Sequence, residues 1–167
     1  NQFVQMMYSR MFYQVSLANE FLRATSDEKL EERGQSSLRD EIAPMRAEAR
    51  FLRAFSYWHG IDLWGNIPLV TEDFVIGATP PDQSDRATIY QYVVDELNDI
   101  RGDLPAAGAG EYGRVDQGAV AMLLAKLYLN AEVYIGADQA SLALSEVERA
   151  IGGAYSLAPN YQLNFMA

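Results

Sequence analysis

The sequence contains no cysteine. Disulfides, thiolate nucleophiles and cysteine-built zinc sites are therefore excluded. It contains one histidine, His59. A single imidazole does not make a multi-histidine metal centre, and no HExxH helix or Ser/His/Asp arrangement can be placed. His59 reads instead as a structural, hydrogen-bonded side chain lying between two apolar stripes of a helix. No uninterrupted apolar run reaches about eighteen residues, so no segment reads as a bilayer-spanning helix. No signal-peptide pattern opens the chain. Positive charge is scarce, with 13 Lys and Arg against 23 Asp and Glu and a net charge of −10. A polyanion needs a basic face, so nucleic acid is not an expected partner, and neither is an electrostatic grip on an anionic membrane. Gly108, Gly110 and Gly113 are not followed by the Lys-Ser/Thr pair of a phosphate-binding loop, and there is no EF-hand loop. No cofactor and no metal are expected.

What is present is an ordinary globular composition, 49% hydrophobic and 22% charged. It suits a single domain over residues 1–167 with a real apolar core. The chain opens on Asn1 and closes on Phe165-Met166-Ala167. It is expected to be a piece of a longer protein. Residues 1–60 balance eight basic against eight acidic residues, whereas residues 61–167 hold five basic and fifteen acidic ones. The acidic excess is read as a solvated face, and it is compatible with neutral ligands such as sugars.

Apolar spacing predicts five helices and no strand. The first, over about residues 2–25, carries Val4, Tyr8, Met11, Val15, Ala18 and Leu22, widened by Phe3, Met7 and Phe21. Residues 26–37 read as a long exposed loop. The second helix, about 38–64, contains Pro44, where it starts or bends. Met45, Ala49, Leu52, Ser56 and Leu63 mark one face of it, and Phe51, Ala54, Trp58 and Ile61 another. Gly65 is a left-handed stop, Pro68 blocks resumption, and residues 66–70 run extended. After a loop over 71–85, Thr88 and Gln91 form a capping-box pattern for a third helix through Ile89, Val93, Leu97, Ile100 and Leu104, ended by Pro105. An Ala/Gly-rich mobile loop precedes Asp116, the N-cap of a fourth helix with Val120, Leu123, Leu127, Ala131 and Tyr134 on one face. Gly136 stops it. A fifth helix, about 140–151, presents Leu144, Val147 and Ile151. The fold class is all-α, a divergent tetratricopeptide-like stack of antiparallel helix pairs.

Paired carboxylates are numerous, but neighbours such as Glu31-Glu32 and Asp95-Glu96 point apart rather than across a sugar. The chain is not expected to be an enzyme. Aromatics are more informative, because the C–H face of a sugar stacks on Trp or Tyr flanked by Asn, Gln or Arg. Trp64 beside Asn66, and Tyr112 beside Arg114, are the ligand-binding candidates. Trp58 and Tyr57 read as core. Arg53 falls among apolar residues and must be paired, and Glu48 and Arg50 lie near it.

The stretch Ala47-Glu48-Ala49-Arg50-Phe51-Leu52-Arg53-Ala54-Phe55-Ser56-Tyr57-Trp58, followed by Leu63-Trp64-Gly65-Asn66-Ile67-Pro68-Leu69-Val70, resembles the signature of the SusD/RagB family. The flanks resemble it in order: Asn19, the helix from Thr88 with Glu96-Leu97, the helix from Gly118-Ala119 to Leu129, and Tyr155-Ser156-Leu157 with Asn160-Tyr161 and Phe165. Gly60, where the family has a large apolar residue, and Glu96, where Asp is commoner, depart from it. The motif residues Glu48, Arg53, Ala54, Trp64, Gly65 and Pro68 are assigned structural roles.

The resemblance implies a non-catalytic binding component of an outer-membrane uptake system. Such a protein is lipid-anchored on the outward face through a segment outside this chain. It sits on a TonB-dependent, SusC-like transporter and takes an oligosaccharide or, in some branches, a peptide. The competing reading is a tetratricopeptide-like adaptor for a peptide or protein. Loops of unequal length speak against it.

Overall fold

The computed structural model describes residues 1–74, 77, 80–157 and 159–165, the side chains of residues 163 and 164 excepted. Residues 75, 76, 78 and 79 of the expected 71–85 loop, and residues 166 and 167 of the C-terminal stretch, lie outside the described residues. The elements in chain order are α1 (Gln2–Ala24), α2 (Asp27–Glu32), α3 (Arg39–Leu63), β1 (Ile67–Pro68), β2 (Gln83–Ser84), α4 (Arg86–Ile100), α5 (Gln117–Leu129), α6 (Ala131–Ile135) and α7 (Ala140–Ile151). Short 3-10 turns cover Ser36–Leu38, Arg101–Asp103 and Tyr161–Phe165. The all-α, tetratricopeptide-like reading is borne out.

The helices stack side by side, α1 on α3, α3 on α4, and α5 on α7, with α4 meeting α5 and α6 between the two halves. Side-chain pairs fix the directions. Arg46 reaches Leu22 and Arg53 reaches Asn19. At the other end Trp64 meets Tyr8, so α1 and α3 run antiparallel. Arg50 with Asp99, and Tyr57 with Tyr92, set α3 and α4 antiparallel in the same way. The core between them comprises Val15, Ala54, Tyr57, Ile61, Ile89, Val93, Leu97, Ile100, Val120, Leu124 and Leu127, all close to full burial. At Gly60, α3 packs closely against β1 and α1. A Cβ there would stand 2.3 Å from Ile67 Cδ1 and 2.9 Å from Met11 Sδ, so the missing bulk is supplied by β1 and α1.

Several sequence expectations are corrected. Residues 27–32 are helical, not loop. The Ser26 side chain accepts from Lys29 N, Asp27 and Glu28 complement the positive end of the helix dipole in the first turn, and buried Leu30 anchors the segment. The third predicted helix is capped by Asp85 rather than Thr88. Asp85 accepts from the Thr88 amide at 2.8 Å and from its hydroxyl at 2.9 Å, so Thr88 donates both bonds to the cap. α3 runs through Pro44, with the Ser36–Leu38 turn leading into it. Its predicted stripe at Met45, Leu52 and Leu63 is exposed.

The fourth predicted helix is two, α5 and α6, meeting at Asn130, although its face from Val120 to Tyr134 is buried as expected. Residues 106–114 are pinned rather than loose at their ends. Gly108 N donates to Asp116, Ala154 N to the Ala107 carbonyl, and Gln117 N to the Pro105 carbonyl. α7 turns its predicted stripe outward, with Leu144 60% and Ile151 76% exposed. The buried line is one residue earlier, at Ala143, Glu146 and Ala150. Small alanines let α7 approach α5 closely, and Glu146 is neutralised by a two-pronged pair with Arg101 at 2.9 Å on each prong.

Candidate functional site

A dense cluster of charge lies at the join of α1, α3, α4 and the segment leaving β1. Arg53 is 2% exposed. Its guanidinium donates to Asn19 Oδ1 at 2.7 Å and Glu96 Oε2 at 2.8 Å, and it is bonded to Glu72. Arg50 clamps the other Glu96 oxygen at 2.5 Å and Asp99 at 2.7 Å. Tyr57 donates its hydroxyl to the Val70 carbonyl and accepts from the Val70 amide, at 2.8 and 2.7 Å. Asn19 Nδ2 donates to the same carbonyl at 3.0 Å, and Arg23 Nε donates to the Glu72 carbonyl at 2.7 Å. The signature residues thus staple the extended exit of α3 back onto the helices.

The electrostatics agree with a structural role. Burial pushes the Glu96 carboxyl up, but hydrogen bonds from Arg50 and Arg53 outweigh it and hold the group below its ordinary range. Glu72 behaves alike, with burial opposed by the Arg53 hydrogen bond. Burial lifts Tyr57 to about 12. Tyr92 is raised further by burial, its hydroxyl without a partner among the described residues and its ring near Arg53. Carboxylates held ionised by arginines are poor proton donors, so this cluster positions chain rather than performing acid–base work. His59 is half-buried, its ring 4.6 Å from that of Phe55 and 4.5 Å from that of Trp58, and it forms no side-chain hydrogen bond among the described residues. That corrects the hydrogen-bonded reading, because ring packing replaces the expected partner.

The four binding candidates fall in two separate clefts, Trp64 with Asn66 and Tyr112 with Arg114. Trp64 ends α3, packs edge-on against Tyr8 at 5.3 Å, and walls an open cleft of about 530 Å³ shared with Gly65, Asn66, Gln83, Arg86 and Tyr134. Asn66 also serves the fold, because its Oδ1 accepts from Arg86 N at 3.0 Å and its carbonyl from Gln83 Nε2 at 2.8 Å. Tyr112 is fully exposed at the rim of a second cleft of about 500 Å³, lined by Asp116, Met122 and Tyr155. Arg114 forms a two-pronged pair with Glu48 on α3, at 2.6 to 3.1 Å. Sequence reasoning missed Gln83, Arg86 and Tyr134. They lie tens of residues apart, and only the β1–β2 pairing of Ile67 with Ser84 and Pro68 with Gln83 brings Gln83 and Arg86 beside Asn66.

No protein-family model matches the chain. It is 35% identical over its whole length to the starch-binding protein SusD of Bacteroides thetaiotaomicron, of which it spans 28%. The chain is SusD-like in sequence and in fold. Over 71% of its length it is 29% identical to SusD-like protein P25 of Formosa agariphila, spanning 23% of that protein. A crystal structure of a SusD-like carbohydrate-binding protein from Bacteroides fragilis superposes on 97% of the chain, with a TM-score of 0.74 at 25% identity, and the match takes in 30% of that structure. A structure with a xylogluco-oligosaccharide matches 99% of the chain and 33% of its own, with a TM-score of 0.82 at 22% identity, which speaks to fold alone. The SusD-like chain thus spans less than a third of the curated relatives it matches.

Proposed function

We propose that this chain is the helical part of a longer protein that binds oligosaccharide without cleaving it, as a component of an outer-membrane, TonB-dependent uptake system. The observation that carries the reading is the 35% identity to a starch-binding protein along all 167 residues. The use of the half-buried Glu72 and Glu96 carboxylates as arginine partners supports binding rather than hydrolysis. The described residues include no helix long and apolar enough to cross a membrane. Attachment to the outer face is proposed to come from a lipid anchor outside this chain, and the partner to be a SusC-like transporter. Tyr112 is the freest of the stacking candidates, and Arg114, tied to Glu48, sets the edge of its cleft.

The test is affinity gel electrophoresis of the full protein through starch, laminarin, xyloglucan and a soluble peptide mixture, with the running buffer assayed for released sugar. Retardation by a glycan with no released sugar is the expected result. Retardation by peptide alone, or sugar release, overturns the proposal.

A further inference from the structure

The cleft at the α3 exit has unused binding chemistry. Arg23, Arg50, Arg53, Arg101 and Arg114 each meet a carboxylate. Arg86 is half-buried, yet its side-chain contacts among the described residues are the Val133 carbonyl at a long 3.4 Å and the face of Tyr134 at 6.0 Å. Gly65 makes room for it, since a Cβ there would lie 2.9 Å from Arg86 Nη2. Asn66 and Gln83 spend one polar group each on the fold, which leaves Asn66 Nδ2 and Gln83 Oε1 without partners among the described residues. Donors from Arg86 and Asn66, an acceptor on Gln83 and the ring of Trp64 therefore converge on one open cleft of about 530 Å³. Tyr134 closes its floor, its hydroxyl donating to Asp62 Oδ1 at 2.7 Å.

We propose that the Trp64–Asn66–Gln83–Arg86 cleft is a saccharide subsite that takes the ring of a neutral sugar. Vicinal hydroxyls both donate and accept, which matches a guanidinium and an amide donor beside an amide acceptor, while the C–H face stacks on the indole. A carboxylate or sulfate ligand fits less well. Asp62 is bonded to Tyr134 of the lining, Asp85 adjoins Arg86, and the chain carries a net charge of −10 with its excess beyond residue 60. The assignment rests on the glycan-binding reading and gives that reading a location.

The experiment uses the full protein with maltohexaose, laminarihexaose, a xyloglucan oligosaccharide and polygalacturonate as probes. Calorimetric affinity is measured for wild type, Arg86→Met and Gln83→Ala, alongside amide hydrogen exchange of segments 64–68 and 83–86. The expected result is that a neutral probe binds and slows exchange in both segments. Arg86→Met then weakens it on the order of tenfold, the loss expected for a charged hydrogen-bond donor. Gln83→Ala removes one exposed hydrogen bond to the Asn66 carbonyl, so it weakens binding less with at most a small drop in melting temperature, and reads the cleft even where Arg86→Met lowers stability. A neutral probe that binds with exchange unchanged in both segments, and with equal affinity for folded variants, overturns the subsite and leaves glycan binding standing. Preference for polygalacturonate overturns the neutral assignment. Failure of every saccharide to bind overturns both readings.

Discussion

At the scale of single residues, Arg53 bears the heaviest demand. A guanidinium almost wholly withdrawn from water holds Glu72, Glu96 and Asn19 at once. Its removal leaves the partly buried Glu72 carboxylate without its guanidinium, so Arg53→Leu is expected to cost about 3 kcal/mol, read as a shift in the urea midpoint. Arg50 still serves Glu96 in that variant, which makes Glu72 the more exposed loss. The same pairs give a pH signature. Glu72 and Glu96 are held below their ordinary range of about 4.3 in the fold, so in that window the unfolded chain binds more protons. Their contribution is present above the unfolded value and is lost as pH falls through the folded one. Stability should decline below about pH 4.3, and Glu72→Gln should flatten that decline. A decline of equal steepness in Glu72→Gln would remove Glu72 from the account. That Arg53 needed partners was legible from a charge set among apolar residues. Which carboxylates answered was not, because Glu72 and Glu96 lie 19 and 43 positions away and nothing local marks them.

At the scale of elements, helix interiors were legible and helix ends less so. The line from Ile89 to Ile100 is buried as its spacing predicts, and the last helix has the predicted bounds. Errors arose where short-range chemistry competed with periodicity. Asp85 and Thr88 are both capping residues, and the earlier one won because its carboxylate reaches both the amide and the hydroxyl of the later. α7 offered two adjacent lines, and the smaller residues took the core because Glu146 found Arg101. The exit of α3 was read correctly from Gly65 and Pro68. Gly65 has φ of +79°, a region a β-branched residue resists, and its side-chain space is taken by Arg86. Gly65→Val is expected to destabilise by about 2 kcal/mol, with Gly65→Asn milder because Asn tolerates the left-handed region. Equal melting temperatures for Val and Gly at this position would refute the helix-stop role.

At the scale of the whole molecule, the stack buries its centre and leaves long apolar lines outside. Along α1 and α3, Phe3, Met7, Leu17, Met45, Leu52, Phe55 and Leu63 are all substantially exposed. All of these but Phe3 border two adjoining grooves that share Gln14 and Leu52. The sequence placed most of these residues inside, because periodicity reports that a helix has an apolar face but not whether anything in the same 167 residues covers it. Contiguous exposed apolar surface on this scale favours association and dye binding. The chain of residues 1–167 is therefore expected to bind a hydrophobic dye while fully helical, and to self-associate in sedimentation velocity as concentration rises. Leu17→Glu together with Leu52→Glu is expected to reduce both effects. The melting temperature should hold, because both side chains are already in contact with solvent. A drop in melting temperature for the double variant would show that the two leucines carry packing energy within the chain. A wild-type chain that stays monomeric and dye-free would show that the two grooves are too shallow to act as one apolar surface.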